Sequence, residues 1–145
     1  MKAILLAEHG SSDNFSFVEV KEPEPIDGHV VIKVCASSLN PVDCKIRSGM
    51  LGAIGPELPG ILHGDVAGII TEVGNGVDDF KVGDEVYGCI GGFKGIPGAL
   101  SEFALADTKL LARKPRNISM VEAASLPLVG ITSWNALIDR AKIKA

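Results

Sequence analysis

Asn40 and Asp43 stand three residues apart in the run Ala36-Ser37-Ser38-Leu39-Asn40-Pro41-Val42-Asp43-Cys44-Lys45-Ile46-Arg47-Ser48-Gly49. An amide and a carboxylate at that spacing can share one helical turn. One reading is local: Asn-Pro starts a turn, and the aspartate caps a short helix. The other turns the pair toward a ligand, with Asn40 offering an amide hydrogen bond to a carbonyl and Asp43 orienting backbone or a polar side chain. Lys45 and Arg47 could steer an anionic phosphate, or simply solvate the helix. His63, with Cys44 and Asp65, invites comparison with a metal site, but that spacing is unspecific and zinc needs three or four converging ligands. His9 and His29 flank turns and are expected in solvent. Gly88-Cys89-Ile90-Gly91-Gly92-Phe93-Lys94-Gly95 invites comparison with a phosphate loop. A dinucleotide fingerprint must open a helix directly after a strand. Here Ile96-Pro97-Gly98 and another strand follow, which favours a cleft loop or hairpin. Thr132, after Gly130-Ile131, reads as an ordinary helical threonine or as a hydroxyl facing a ligand.

The elements that must position these residues are short. Apolar residues fill both faces of a first strand around Ala3 to Ala7, and Phe15 to Val20 makes a second. Two prolines in Glu22-Pro23-Glu24-Pro25-Ile26-Asp27-Gly28 forbid a ladder there, and Gly28 permits positive φ. Val30, Ile32, Val34 and Ala36 are expected on one face of a third strand. Further strands are expected over Val66 to Val73, Val82 to Tyr87, Leu100 to Ala106 and Lys109 to Ala112. Pro41 near its start and Gly49 at its end bound a short helix. Ser119-Met120-Val121-Glu122 matches a capping box, and the helix it opens ends before Pro127. A second helix runs on from about Leu128, with Leu128, Ile131, Trp134, Ile138 and Ala141 on one apolar stripe.

The chain has 145 residues, 46% hydrophobic and 22% charged, with 17 glycines and 8 prolines. Those proportions suit a folded domain and exclude disorder or collagen-like repetition. Many turns imply short strands rather than long helices. A net charge of −4 and the lack of a basic stripe argue against a nucleic-acid partner. No apolar run approaches the ~18–20 residues of a membrane span. Three widely spaced cysteines make neither a disulfide framework nor a zinc ribbon, and free thiols lead to the expectation of a cytoplasmic protein.

Four blocks in one order carry a resemblance. They are residues 36–49 above, Gly64-Asp65-Val66-Ala67-Gly68-Ile69-Ile70-Thr71-Glu72-Val73-Gly74, Phe80-Lys81-Val82-Gly83-Asp84-Glu85-Val86-Tyr87-Gly88, and Glu122-Ala123-Ala124-Ser125-Leu126-Pro127-Leu128-Val129-Gly130-Ile131-Thr132-Ser133-Trp134. Together they resemble the N-terminal GroES-like domain of the medium-chain dehydrogenase/reductase superfamily, in its zinc-independent quinone oxidoreductase branch. The resemblance implies a mainly β fold with short helices: a partly open GroES-like barrel, with C-terminal helices leading toward an absent Rossmann domain. It divides the chain into an incomplete catalytic domain over residues 1–126 and the start of an inter-domain helix over 127–145.

The resemblance also implies an activity for the longer parent: NADPH-dependent reduction of a quinone or α,β-unsaturated carbonyl by direct hydride transfer without zinc. The fragment alone is expected to be inactive and to bind no NADPH. Asn40 and Asp43 would be the catalytic pair, with Thr132 and Asn40 against the cofactor. Zinc alcohol dehydrogenases of the superfamily carry a cysteine where this chain has Asn40, and a His-Glu pair where it has Gly64-Asp65. Many reductases of the branch carry a tyrosine shortly after the Ser-Gly matching Ser48-Gly49. Met50-Leu51 stands here, so water or a group outside these residues would supply the proton. The expected partners are the small substrate, the chain's own Rossmann domain and a second copy in a homodimer, with no membrane. A zinc-type alcohol dehydrogenase relative and a non-catalytic GroES-like binding module are the alternatives.

Overall fold

The computed structural model describes residues 1–144, so the last residue of the expected inter-domain segment, Ala145, lies outside the described residues. Strand β1 (Lys2–Leu6) pairs antiparallel with β2 (Phe15–Glu19). A five-stranded antiparallel sheet holds β3 (His29–Ser37), β4 (Asp65–Val73), β5 (Glu85–Cys89), β6 (Phe103–Asp107) and β7 (Leu111–Arg113), in the order β6-β3-β4-β5-β7. Three short helices complete it: α1 (Pro41–Arg47), α2 (Met120–Ala124) and α3 (Pro127–Trp134). Strand β1 crosses to the rest through the Ile4 N–H, which donates to the Leu100 carbonyl at 2.8 Å, and through the Leu6–Gly60 pair. The result is a mainly β, partly open barrel without closure.

The core has three parts. Val30, Ile32, Val66, Ile70, Val86 and Ile90 form the main cluster, within the five-stranded sheet. Leu6, Ile46 and Leu62 pack α1 beneath β1. Ala67, Ala123 and Ala124 bring α2 close to the opposite face of β4, where small side chains permit the approach. Each large side chain removed from water in this way contributes about 1.5–3 kcal/mol. Ala36 departs from the expected register. A bulge between Val34 and Ala36 turns it off the Ile32 face, and it packs beside Ala67 and α2 instead.

Two strand boundaries also move. Val82-Gly83-Asp84 forms a turn, with the Lys81 N–H donating to Asp84 Oδ2 at 3.2 Å, so β5 starts at Glu85 and runs on to Cys89. Leu100 and Ser101 bridge to β1, so β6 starts only at Phe103. The expected capping box opens α2: Glu122 N–H donates to Ser119 Oγ at 3.2 Å, and Ser119 N–H donates to a Glu122 oxygen at 2.7 Å. Beyond α3 the chain widens into a π turn over Asn135–Arg140, which shifts the expected stripe out of phase. Ile131, Trp134 and Ile138 are exposed.

Candidate functional site

Asn40 occupies the N-cap of α1 in extended backbone, and Pro41 follows at the first helical position. The Asn40 N–H donates to Asp43 Oδ2 at 2.7 Å. The local capping reading of the pair therefore describes the backbone. The Asn40 side chain goes elsewhere. Its Nδ2 donates to Asp65 Oδ2 at 2.9 Å, and the Ser38 hydroxyl donates to the same oxygen at 3.0 Å. The other oxygen, Asp65 Oδ1, accepts the Leu128 N–H of α3 at 3.0 Å. Asp65 is wholly buried, and Asn40 and Asp43 nearly so. A buried carboxylate is tolerated when donors surround it, and here three donors arrive from two segments far apart in sequence, residues 38–40 and the start of α3.

Sequence reasoning overlooked Asp65 as the centre of this group. The available signal was its position: a lone acidic residue opening the apolar strand Val66-Ala67-Gly68-Ile69-Ile70, where an ionisable group must find partners. Its donors lie at positions 38, 40 and 128, and no local pattern connects them.

The neighbouring groups respond to burial. Burial pushes the Asp43 carboxyl up, against the Asn40 N–H and the nearby His63, which favour its ionised form. Burial pushes the His63 imidazole down, opposed by the charges of Asp43 and Asp65. His63 holds a left-handed backbone, with φ of 69°, and its Nδ1 lies 3.3 Å from the Ser37 hydroxyl. Burial first, and then the Asp65 charge, push the Cys89 thiol up to about 12. His63, Asp65 and Asp43 thus share one neighbourhood. Cys44 is exposed on α1, and the described residues contain no group of three metal-ligating side chains.

The glycine-rich loop after β5 covers the same neighbourhood from above. The Ile90 N–H donates to the Gly64 carbonyl at 2.7 Å. Phe93 and Ile96 then bridge as a small hairpin, and no helix opens after these glycines. A side chain at Gly64 would meet the Gly91 carbonyl at 2.7 Å and the Cys89 sulfur at 2.8 Å, so the loop admits only glycine there.

Thr132 lies one turn into α3 and is exposed, with its Oγ1 donating to the Leu128 carbonyl at 2.8 Å. It joins the Asn40–Asp65 group only through that turn. Arg47 Nη1 donates to the Gly10 carbonyl. Lys45 is exposed. Met50 is exposed and Leu51 packs against the α1 cluster. Two cavities flank the group. One of about 770 Å³ opens between α3 and the β5–β7 edge, beside Tyr87, Pro127 and Trp134. The other, about 460 Å³, lies between β2 and α1, beside Phe17, Leu39, Cys44 and His63.

Residues 26–116 match the Alcohol dehydrogenase GroES-like domain family. A chloroplast envelope quinone oxidoreductase homolog of Arabidopsis thaliana is 41% identical over 136 residues, covering 93% of this chain and 41% of that protein. An NADPH-dependent alkenal/one oxidoreductase, chloroplastic, from the same plant is 40% identical over 144 residues, covering 95% and 37%. The chain therefore spans about two-fifths of the length of these relatives. A crystal structure of an alcohol dehydrogenase superfamily protein from Novosphingobium aromaticivorans superposes with a TM-score of 0.93 at 40% identity, over 99% of this chain and 43% of that one.

The cytoplasmic expectation is corrected by these relatives, which are named as chloroplast proteins. Three free cysteines do not single out the cytoplasm. No helix among the described residues is long and apolar enough to cross a membrane. With its four sequence blocks, its open antiparallel barrel and these relatives, the chain belongs to the medium-chain dehydrogenase/reductase superfamily, as a GroES-like domain of the quinone oxidoreductase branch.

Proposed function

We propose that this chain is the substrate-side part of an NADPH-dependent oxidoreductase that reduces a quinone or an α,β-unsaturated carbonyl without zinc. Residues 1–126 form the catalytic domain. Residues from 127 onward begin the helix toward a cofactor-binding domain, in a parent that pairs as a homodimer. Asn40, Asp43 and Thr132 line the cleft. The similarity to an NADPH-dependent alkenal/one oxidoreductase over 95% of the chain supports the substrate class and the cofactor.

The observation that carries the zinc-free reading is Gly64. The superfamily's zinc histidine belongs at that position, and here a side chain would collide with the Gly91 carbonyl and Cys89 sulfur. Position 40 is likewise an amide donating to Asp65, whose oxygens are already filled by N–H and O–H donors. A cation would need those oxygens free.

The residues also fit the nicotinamide end of a dinucleotide. The Thr132 hydroxyl uses its proton on the Leu128 carbonyl, which leaves exposed acceptor lone pairs for an amide N–H of a ligand. The nicotinamide supplies the hydride when bound; the chain's part is to bind, orient and exclude water. Asp43 fixes the α1 cap through the Asn40 N–H, and the apolar wall of Phe17 and Leu39 suits the body of an enone. The protein expressed from its full-length coding sequence should oxidise NADPH in the presence of 2-cyclohexenone or a benzoquinone, and chelators should leave the rate unchanged. Oxidation of a simple alcohol, lost on chelation, would instead favour the zinc enzyme.

A further inference from the structure

Helix α3 is held loosely. Of its residues only Pro127 is fully buried, and Val129, Ile131 and Trp134 face solvent. Among the described residues, one hydrogen bond ties this helix to the sheet: the Leu128 N–H to Asp65 Oδ1. That N–H belongs to the first turn, where helix amides have no internal partner and the helix dipole favours a negative charge. The second oxygen of the same carboxylate holds Ser38 and the Asn40 amide. A planar carboxylate cannot rotate to serve one side without misaligning the other.

We infer that Asp65 is a positioning residue that couples the α1 cap to the seating of α3, so that one carboxylate sets Asn40 and Thr132 against each other. Its use in catalysis rests on the reductase reading above, whereas the coupling stands on geometry alone. Asn40 orients the carboxylate, the carboxylate seats Leu128, and Leu128 begins the turn that carries Thr132. Loosening the brace at Asn40 should therefore be felt at α3, although no atom of α3 is changed.

Amide hydrogen exchange on the 145-residue chain, followed by NMR without cofactor or substrate, tests this. In Asn40→Ala the Leu128 amide should exchange about tenfold faster, while the Ile32 amide in the sheet core keeps its protection. In Asp65→Asn the loss should be larger, because an amide brings donors to a place already crowded with donors. The exchanged pair N40D/D65N keeps one amide and one carboxylate with donor and acceptor reversed, and should return Leu128 to within about threefold of the wild type. Should D65N not fold, N40A and Ser38→Ala carry the test, since both leave the buried carboxylate in place. Unchanged Leu128 protection in N40A, or no recovery in the exchanged pair, overturns the coupling. Failure of the reductase reading shows in the NADPH oxidation assay instead, so the two results remain distinct.

Discussion

The residues of the candidate site differ in what burial does to them, and their reactivities should differ accordingly. Cys35 and Cys44 are exposed, while the Cys89 thiol is pushed up to about 12. The thiolate is the reactive form. At pH 8 a thiol reagent such as DTNB should label two cysteines quickly and the half-buried Cys89 much more slowly; labelling of all three at one rate would contradict the raised value of its thiol. His63 carries a pH dependence of definite sign. Its folded value is lowered, so below about 6.5 the unfolded chain binds more protons and stability falls as pH drops. Asp43 works the other way: its folded value is raised, and what it contributes at low pH is lost as pH rises through that value. His63→Asn, which tolerates the left-handed backbone, should lessen the loss of stability just below pH 6.5 in urea melts at stepped pH. An identical slope in the variant would remove His63 from the account. Asn40 and Asp43 were legible in the sequence as a helix cap because a cap is local. The partnership of Asn40 with Asp65 was not, because the two meet only when β4 lies beside the end of β3.

At the scale of elements, turn chemistry and capping were the most legible features and strand register the least. Ser119 and Glu122 cap α2 as their spacing implies, and Ser119→Ala should cost about 1 kcal/mol in chemical denaturation. The bulge near Ala36 was illegible because alternation continues through it in sequence, and only the pairing with β4 reveals the slip. Gly68 lies in β4 opposite that slip. A Cβ there would meet the Lys33 carbonyl at 2.2 Å, so the two central strands approach as closely as backbone allows. Gly68→Ala should destabilise the chain by about 3 kcal/mol, well beyond the usual effect of a single added methyl. A variant as stable as the wild type, by thermal melting, would mean that β3 and β4 separate more easily than their pairing implies.

The whole molecule is a folded barrel with one poorly covered side. The apolar spacing of the last helix was legible, and its exposure follows from what surrounds it: α3 leans over a groove of about 770 Å³ rather than filling it. The 145-residue chain should bind NADPH negligibly, since its glycine-rich loop closes as a hairpin and opens no helix. Micromolar binding in a calorimetric titration would refute that. Trp134 sits at the edge of this groove, 63% exposed, and it is the only tryptophan in the chain. The molecule thus carries its single tryptophan on the side of α3 that other surfaces would cover. Its emission maximum should lie at the red, water-like end in the 145-residue chain and move toward the blue in any longer form that packs against α3. Every event that covers the groove then has a colour, readable without a label.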